Sequence, residues 1–333
     1  MKRWLSVAVQ GGVFLLCVSL NAATPRVPVT ALAFSPDGSR LLVGRHQTVQ
    51  VYDVAGKKAV SSISCAFPKI SSFAFASVGR LLLVAGGTPG ASGGVQLFDW
   101  PAGRLVQSLT NRADMATAVA VNPTGDLVAL AGTDHLVELL KLDVSRRKLV
   151  PLRTLTDHSR PVLAAAFSPD SRLLVTASVD RSIKVWDAAS GKLQRSFSHH
   201  TDIVHCLSFR PRTVVGGEPL PFYCASGSDD KTVRVWQPEI GRMVRIVRGH
   251  EGPVFAVAYS PDIARLFSAG KEGVIRVIDA DSDELLHHWP AHEDWIYALA
   301  LSPDGRTLAS GDWAGGVKLW TFKSAQAHLA RIL

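Results

Sequence analysis

Histidine, serine or threonine, and aspartate recur together at similar spacing in this 333-residue chain. Two copies of the set are complete and each includes a tryptophan: His158, Thr176, Asp180 and Trp186, and then His200, Ser226, Asp230 and Trp236. A histidine beside a hydroxyl and a carboxylate is the combination that nucleophilic catalysis uses. A catalytic nucleophile is needed only once, however, so the recurrence beside a tryptophan favours a structural role. We therefore predict no catalytic residue and no enzyme, with a hydrolase or lyase as the less favoured alternative.

Paired histidines raise the question of a metal site. His199 precedes His200 and His287 precedes His288, with His292 close behind. Successive residues on a strand face opposite sides of the sheet, so neighbouring histidines do not converge on one ion. The sequence also lacks a glycine-rich phosphate loop and a Cys-x-x-Cys pair. We therefore expect no metal and no cofactor.

Three cysteines follow the first 23 residues: Cys65, Cys206 and Cys224. An odd number of cysteines cannot all pair within one chain. Cys206 and Cys224 fall on predicted neighbouring strands, which allows one disulfide, whereas three buried thiols are the alternative. The sequence leaves both open.

The elements that must position these residues are repeated along the chain. Four similar segments contain His158, His200, His250 and His292, which are 42, 50 and 42 residues apart. Ser-Pro-Asp turns stand at 35–37, 168–170, 260–262 and 302–304, and proline followed by aspartate is typical of a hairpin tip. β-branched residues alternate with polar ones before the tryptophan position, as in 183–186 and 233–236, which predicts strands.

Counting the copies from Val29 to about Ala325 gives seven units of about 42 residues, each with four short strands. Histidine near the start of a unit and Trp-Asp near its end resemble the WD-repeat (tryptophan–aspartate repeat) family, in its bacterial exported type. The resemblance implies an all-β fold, a seven-bladed β-propeller of four-stranded antiparallel blades around a central channel. The predicted blades are 29–64, 65–110, 111–156, 157–198, 199–248, 249–290 and 291–333, within one domain at 24–333. Residues 327–333 are favoured as the last outer strand over residues 26–28, because Pro28 lacks a ladder N–H.

The same resemblance implies that each complete set is a hydrogen-bonded tetrad of His, Ser or Thr, Asp and Trp that stabilises its blade. Blade six keeps His250 and Ser268 but has Glu272 and Ile278 in the other two positions. Blade seven keeps His292, Ser310 and Trp320, with Ala314 at the expected aspartate position. Blades one to three have Tyr52, Phe98 and either Leu140 or Leu142 at the tryptophan position, so we expect apolar packing to dominate there.

Propellers of this family resemble one another in use, as rigid platforms that bind proteins or peptides on the face that bears the tetrad loops. On that face the sequence places Trp295 and Trp313, two turn tryptophans without a tetrad role. Nearby turns contribute Arg181, Lys231 and Lys271. Because tryptophan and arginine are common interface anchors, these five residues form a hypothetical docking patch for an acidic or carboxylate-bearing partner. The alternative is that both tryptophans fold down onto neighbouring loops.

The N-terminal sequence has the three parts of a secretory signal peptide. Lys2-Arg3 precede an apolar stretch at 4–20, and small residues follow at 21–23. Residues 1–23 are therefore predicted to direct export, to the periplasm or the medium, without stable membrane insertion after cleavage. A retained N-terminal membrane anchor and a wrongly assigned start are the alternatives.

The net charge of +8 is spread along the chain rather than concentrated. The densest basic run, Arg146-Arg147-Lys148, lies in a predicted loop without the interleaved aromatic residues of a nucleic-acid site. We therefore expect protein or peptide partners, no nucleic acid, and a monomeric propeller. The predicted function is a non-catalytic protein–protein interaction scaffold, with a ligand- or peptide-sensing regulatory module as the alternative.

Overall fold

The computed structural model of the chain describes residues 27–56, 58–76, 79–211, 214–215, 218–219, 221–323 and 326–333. The predicted signal peptide at 1–23 lies outside these ranges. The described residues form seven four-stranded antiparallel sheets and one additional two-stranded hairpin. No helix in these ranges is long and apolar enough to cross a bilayer.

The first three sheets follow one another in the chain, and each is a simple meander. The first contains β1 (Leu32–Phe34), β2 (Arg40–Arg45), β3 (Thr48–Asp53) and β4 (Lys58–Ser64). The second contains β5 (Lys69–Ala76), β6 (Leu81–Thr88), β7 (Ser92–Asp99) and β8 (Arg104–Arg112). The third contains β9 (Ala116–Val121), β10 (Leu127–Gly132), β11 (Val137–Asp143) and β12 (Lys148–Leu155).

The fourth and fifth sheets carry the two complete histidine sets. The fourth contains β13 (Val162–Phe167), β14 (Leu173–Ser178), β15 (Ile183–Asp187) and β16 (Leu193–Phe197). The fifth contains β17 (Val204–Phe209), β20 (Cys224–Ser228), β21 (Val233–Gln237) and β22 (Arg242–Val247). The two-stranded hairpin, β18 (Val214–Val215) and β19 (Glu218–Pro219), is inserted between β17 and β20.

The last two sheets repeat the pattern. The sixth contains β23 (Val254–Tyr259), β24 (Arg265–Gly270), β25 (Val274–Asp279) and β26 (Leu285–Pro290). The seventh contains β27 (Ile296–Leu301), β28 (Thr307–Asp312), β29 (Val317–Lys323) and β30 (Gln326–Ile332). The outer strand of the seventh sheet therefore comes from the C-terminal segment, which confirms that sequence prediction.

The core is divided into seven apolar clusters, and each cluster fills the interface between two neighbouring sheets. One of them joins Val29, Leu41 and Val43 of the first sheet to Val317 and Leu319 of the seventh. The ring of sheets is therefore closed, and the fold is the predicted seven-bladed β-propeller. Because each sheet has two neighbours, its inner strands are buried on both faces, as the uniformly buried strand β14 illustrates.

The predicted turns hold the sheets in register at one end of the strands. In the fourth sheet the Ser168 hydroxyl donates to Asp170 (2.6 Å) and accepts the backbone N–H of Leu173 (2.9 Å). Equivalent hydroxyl–carboxylate bonds join Ser260 to Asp262 and Ser302 to Asp304. The histidine loops lie at the opposite end of the strands.

Candidate functional site

The two complete sets predicted from the sequence each come together as one hydrogen-bonded group. In the fourth sheet His158 contacts Asp180 through Nδ1 (2.8 Å) and Thr176 through Nε2 (2.8 Å), and Trp186 Nε1 donates to the Thr176 hydroxyl (2.9 Å). An ionised carboxylate only accepts hydrogen bonds, so Nδ1 carries the proton and Nε2 accepts from the hydroxyl. A catalytic triad has the same hydrogen-bond order. Here, however, Thr176 is fully buried and its hydroxyl also accepts from Trp186, so the hydroxyl is not open to a substrate.

The fifth sheet repeats this arrangement closely. His200 contacts Asp230 through Nδ1 (2.7 Å) and Ser226 through Nε2 (2.8 Å), and Trp236 Nε1 donates to Ser226 (2.8 Å). The histidine, the serine and the tryptophan are all buried. Two groups with the same contacts favour a structural role over catalysis, as the repetition in sequence indicated.

The sixth sheet has a modified group. His250 contacts Glu272 through Nδ1 (2.6 Å) and Ser268 through Nε2 (2.8 Å), while Ile278 occupies the tryptophan position. The longer glutamate side chain also accepts two hydrogen bonds from Arg276 (3.1 Å each). An arginine thus supplies a second partner for the carboxylate in this sheet.

The seventh sheet corrects one expectation from the sequence. Asp312, rather than the position of Ala314, supplies the carboxylate that contacts His292 Nδ1 (2.6 Å). His292 Nε2 contacts Ser310 (2.7 Å), and Trp320 Nε1 donates to the same hydroxyl (2.8 Å). This sheet therefore has a complete tetrad whose aspartate stands at the end of β28, two residues earlier than the spacing in the other sheets suggested.

Burial and hydrogen bonding set the charge states of these groups. Burial acts to raise the pKa of Asp180, of Asp230 and of Glu272, but hydrogen bonds from the neighbouring histidine and from other partners outweigh it. The pKa values of both aspartates consequently lie well below their ordinary range, and that of Glu272 falls to about 2. Burial lowers the pKa of His200 and of His292 in spite of the adjacent carboxylates. In the fifth sheet, neutral His200 beside ionised Asp230 is thus the stable form.

The third sheet contains a polar group that the sequence interpretation missed. Arg112, whose side chain is 1% exposed, donates to the carboxylate of Asp134 and to the backbone oxygens of Leu130 (3.0 Å) and Leu136 (3.1 Å). Arg112 stands four residues before β9, as His158 stands four residues before β13. That matching position was the available signal. The strand register also places Leu140, opposite Val128, at the tryptophan position.

The innermost strands of the seven sheets surround a central cavity of about 240 Å³. At its rim the first three sheets present hydroxyls, and each hydroxyl donates to a carbonyl of the next sheet: Thr30 to Ile70 (2.9 Å), Ser71 to Ala116 (2.6 Å) and Thr117 to Val162. The fifth, sixth and seventh sheets present His205, Phe255 and Tyr297 instead. One side of the rim is thus used to join sheets, whereas the other side is aromatic.

Five rings on that aromatic side form a continuous group, which we call the rim cluster: His205, Phe255, Trp295, Tyr297 and Trp313. Phe255 and Tyr297 stack with 4.6 Å between ring centroids, and His205 meets Phe255 edge-on at 5.0 Å. Trp313 lies 5.6 Å from Tyr297 and 6.3 Å from Trp295. Trp295 and Trp313 nevertheless remain 37% and 49% exposed, so the cluster presents apolar surface to solvent.

The backbone fixes the two tryptophan loops to each other, because Trp313 N–H donates to Trp295 O (2.9 Å). Of the predicted basic residues, Lys271 joins the cluster, with its Nζ 5.0 Å from the centre of the Trp295 ring. Arg181 and Lys231 lie in the equivalent turns of the fourth and fifth sheets, and both have a positive φ. The Arg181 guanidinium and the Lys231 ammonium do not stack on any ring of the rim cluster. The structure therefore joins three of the five predicted docking residues and adds three aromatic residues that the sequence interpretation missed.

Carboxylates also approach the rim cluster. His205 Nε2 pairs with Asp229 at 2.7 Å, and Asp294 accepts the backbone N–H of Trp295. Burial, followed by the charges of Asp294 and Asp229, raises the pKa of Tyr297. The field around the cluster is therefore mixed in sign rather than uniformly basic.

The cysteines are free thiols in the structure: Cys65, Cys206 and Cys224. Cys206 pairs in register with Gly227 and Cys224 with Phe209, so the two do not stand opposite each other. Burial raises the pKa of Cys65 and of Cys206 to about 12, which leaves both as inert thiols near neutral pH. Within the described ranges no three His, Cys, Asp or Glu side chains converge as metal ligands.

Comparison with known proteins identifies the repeat. The family described as "WD domain, G-beta repeat" matches residues 17–53, 149–187, 191–237, 241–279 and 283–321, which together cover more than half of the chain. Each of the last four ranges contains the outer strand of one sheet and the first three strands of the next sheet, in whole or in part, together with the tryptophan position of that next sheet.

Curated relatives are similar over most of this chain. Protein tipD of Dictyostelium discoideum is 27% identical over 262 residues, 76% of this chain and 39% of its own length. Periodic tryptophan protein 2 of Saccharomyces cerevisiae is 27% identical over 297 residues, 78% of this chain and 31% of its own length. The chain thus spans about a third of these two relatives. Target of rapamycin complex subunit wat1 of Schizosaccharomyces pombe is 25% identical over 245 residues, 72% of this chain and 74% of its own length.

Proposed function

The chain belongs to the WD-repeat family, and we propose that it is a non-catalytic scaffold that binds another protein through the rim cluster. The observation that carries the proposal is the partly exposed pair Trp295 and Trp313, fixed by a backbone hydrogen bond and backed by stacked Phe255 and Tyr297. Tryptophan and tyrosine held rigidly lose little conformational entropy on binding, so such a group suits an interface anchor.

A role in an assembly is supported by the similarity to wat1, which is by name a subunit of the target of rapamycin complex. We propose a protein or peptide segment with at least one apolar or aromatic side chain as the occupant of the cluster. The positive charges of Lys271, Arg181 and Lys231 support the acidic character predicted for that partner. The negative charges of Asp229 and Asp294, which lie beside the rim cluster, oppose it. Binding by an acidic partner would weaken as salt rises, whereas apolar docking would change little.

We also propose that the chain is exported and acts as a monomeric propeller. Support for export comes from the sequence of residues 1–23 alone, as does the assignment to a bacterial exported type. Fractionation of cells that express the full chain, with N-terminal sequencing of the recovered protein, tests export and cleavage. Size-exclusion chromatography with light scattering tests the monomer.

Docking is tested by crosslinked purification from native cells with the Trp295→Ala/Trp313→Ala double variant. The matched control is Leu152→Ala/Ile240→Ala, which also removes two exposed apolar side chains (47% and 62% exposed) away from the rim cluster. We expect partners captured by the wild type and by the control to be lost from the tryptophan variant. Equal recovery with all three proteins, with the fold intact by circular dichroism, would show that docking uses another surface.

A further inference from the structure

A second surface feature lies at the opposite end of the strands from the rim cluster. The turn regions of the second and third sheets line an open cavity of about 570 Å³. Its lining includes three arginines, Arg80, Arg104 and Arg147, together with Asp99 and Trp100. This cavity is more than twice the size of the central one and is independent of the docking face proposed above.

One nearly buried carboxylate orients two of the arginines. Asp99, with a side chain 12% exposed, accepts from Arg104 Nη2 (2.5 Å) and Nε (3.1 Å) through Oδ2. Its other oxygen accepts from Arg147 Nη1 (2.8 Å), which comes from the neighbouring sheet. Because a guanidinium has five N–H groups, both arginines keep donors that are not used by Asp99.

The third arginine is not neutralised. Arg80 is exposed and has no ion pair with any residue that the structure describes. The cavity thus holds three positive charges against the single negative charge of Asp99, whose two oxygens are both engaged. Its net field favours an anion with about two negative charges.

The remaining wall of the cavity is apolar. Trp100 is held edge-on against Phe75, with 5.4 Å between ring centroids, and Val144 contributes an exposed side chain from the third sheet. A ligand that combines an anionic head with an apolar or aromatic body would therefore meet a matching surface on both parts.

We propose that this cavity binds a phosphate monoester with an aromatic or apolar body. A phosphate monoester carries about −1.5 to −2 charge at pH 7 and three acceptor oxygens, which suits three guanidinium groups better than a single carboxylate does. The phosphate head lies among Arg80, Arg104 and Arg147, and the body lies against Trp100. The ligand is a free small molecule or a phosphorylated side chain of another protein, since both present the same chemistry.

The test measures binding of phenyl phosphate to the full chain by isothermal titration calorimetry, with benzoate as a carboxylate of similar shape. Arg80→Gln and Arg147→Gln each remove one charge from the cavity. Arg146→Gln is the matched control, because Arg146 is in the same turn, its side chain is 82% exposed, and it does not line the cavity. We expect each cavity variant to bind phenyl phosphate roughly tenfold more weakly or worse, and the control to bind as the wild type does.

The proposal is overturned if benzoate binds as tightly as phenyl phosphate, or if Arg80→Gln and Arg147→Gln both bind phenyl phosphate like the wild type. A phosphotyrosine peptide separates the two ligand sources: binding at least as tight as that of phenyl phosphate indicates a phosphorylated partner, and exclusion of the peptide indicates a small molecule. Because all substitutions lie away from the rim cluster, failure here leaves the scaffold proposal unaffected, and loss of docking by the tryptophan variant leaves this one unaffected.

Discussion

Each tetrad hydroxyl serves two buried partners at once. Ser310 is fully buried, contacts His292 Nε2 and accepts from Trp320 Nε1. Ser310→Ala would leave both nitrogens without a partner in an interior that water does not reach. We expect it to lower the free energy of unfolding by about 1–3 kcal/mol, measured by urea denaturation.

The control for this substitution is Ser62→Ala, since Ser62 is an exposed serine on the outer strand β4. A surface change of this kind should alter stability by less than about 0.5 kcal/mol. Equal effects from the two substitutions would show that the hydroxyl at position 310 is not specifically required.

The same groups predict how stability depends on pH. Burial lowers the pKa of His200 and His292 below the ordinary value of 6.5, so the unfolded chain takes up protons first as pH falls. The contribution of these histidines to the free energy of unfolding is therefore fully present above pH 6.5 and decreases below it. The decrease is at most about 1.4 kcal/mol per pH unit for each histidine that is protonated in the unfolded chain but not in the folded protein. Asp180 and Asp230, with lowered pKa values, add a further loss below about pH 4.

We accordingly expect the free energy of unfolding to be lower at pH 5 than at pH 7, measured by urea denaturation at both values. His292→Gln, which cannot titrate, should reduce the difference between the two pH values although it destabilises the protein at both. A difference that stays as large in this variant would mean that other groups produce the pH dependence.

The tetrad positions could be predicted from sequence because the hydroxyl and the tryptophan lie within strands and the histidine stands four residues before a strand, and these strands repeat with the unit. Asp312 could not be placed in this way. The carboxylate reaches the histidine across a turn, and in the seventh sheet it does so from the end of β28, with the Gly316 N–H donating to its other oxygen (2.6 Å). A residue that acts from a turn can occupy more than one sequence position.

Among the elements, the third sheet shows how a blade without a histidine tetrad is held together. Arg112 connects the end of β8 to the backbone of β10 and to the turn that follows it. We expect Arg112→Ala to lower the free energy of unfolding by about 3–5 kcal/mol, because it removes the charged partner of the Asp134 carboxylate, which keeps the Leu136 N–H (3.2 Å), and the donor to two carbonyl oxygens. Chemical denaturation provides the measurement.

Arg146→Ala is the comparison for Arg112→Ala, since it removes an arginine that is 82% exposed and pairs with Asp143 only at 3.8 Å. Exposed pairs of this kind contribute at most about 1 kcal/mol. A loss of that size at position 112 as well would indicate that water satisfies the groups around Arg112.

The rim cluster shows the limit of reading elements from sequence. Trp295 and Trp313 could be predicted as docking candidates because they stand in turns without a tetrad role. His205, Phe255 and Tyr297 stand on inner strands, each directly after a buried β-branched residue, where the register is interrupted by a bulge. Alternation places each of them on the opposite face of its sheet from that buried residue, where the other neighbouring sheet would cover it. Only the structure shows that they face the channel instead.

At the scale of the molecule, the closed ring makes every sheet depend on two neighbours. The interface between the seventh and first sheets differs from the others because it joins the two ends of the described chain. Val29 N–H donates to Asp312 O (3.0 Å), and Arg45 Nη1 donates to Gly315 O (2.7 Å). These bonds and the shared apolar cluster close the ring without a covalent link.

Cooperativity of the ring can be tested with two matched substitutions, Val29→Ala and Val162→Ala. Both valines are fully buried between sheets, Val29 where the ring closes and Val162 between the third and fourth sheets. Each substitution removes two methyl groups from a packed interface and should lower the free energy of unfolding by about 1–3 kcal/mol.

If the closure is as strong as the other interfaces, both variants unfold in one transition at similarly lowered urea midpoints. Tryptophan fluorescence and circular dichroism then give coincident unfolding curves. Two separate transitions in Val29→Ala alone would mean that the ring opens before the sheets unfold, and that closure is its weakest interface.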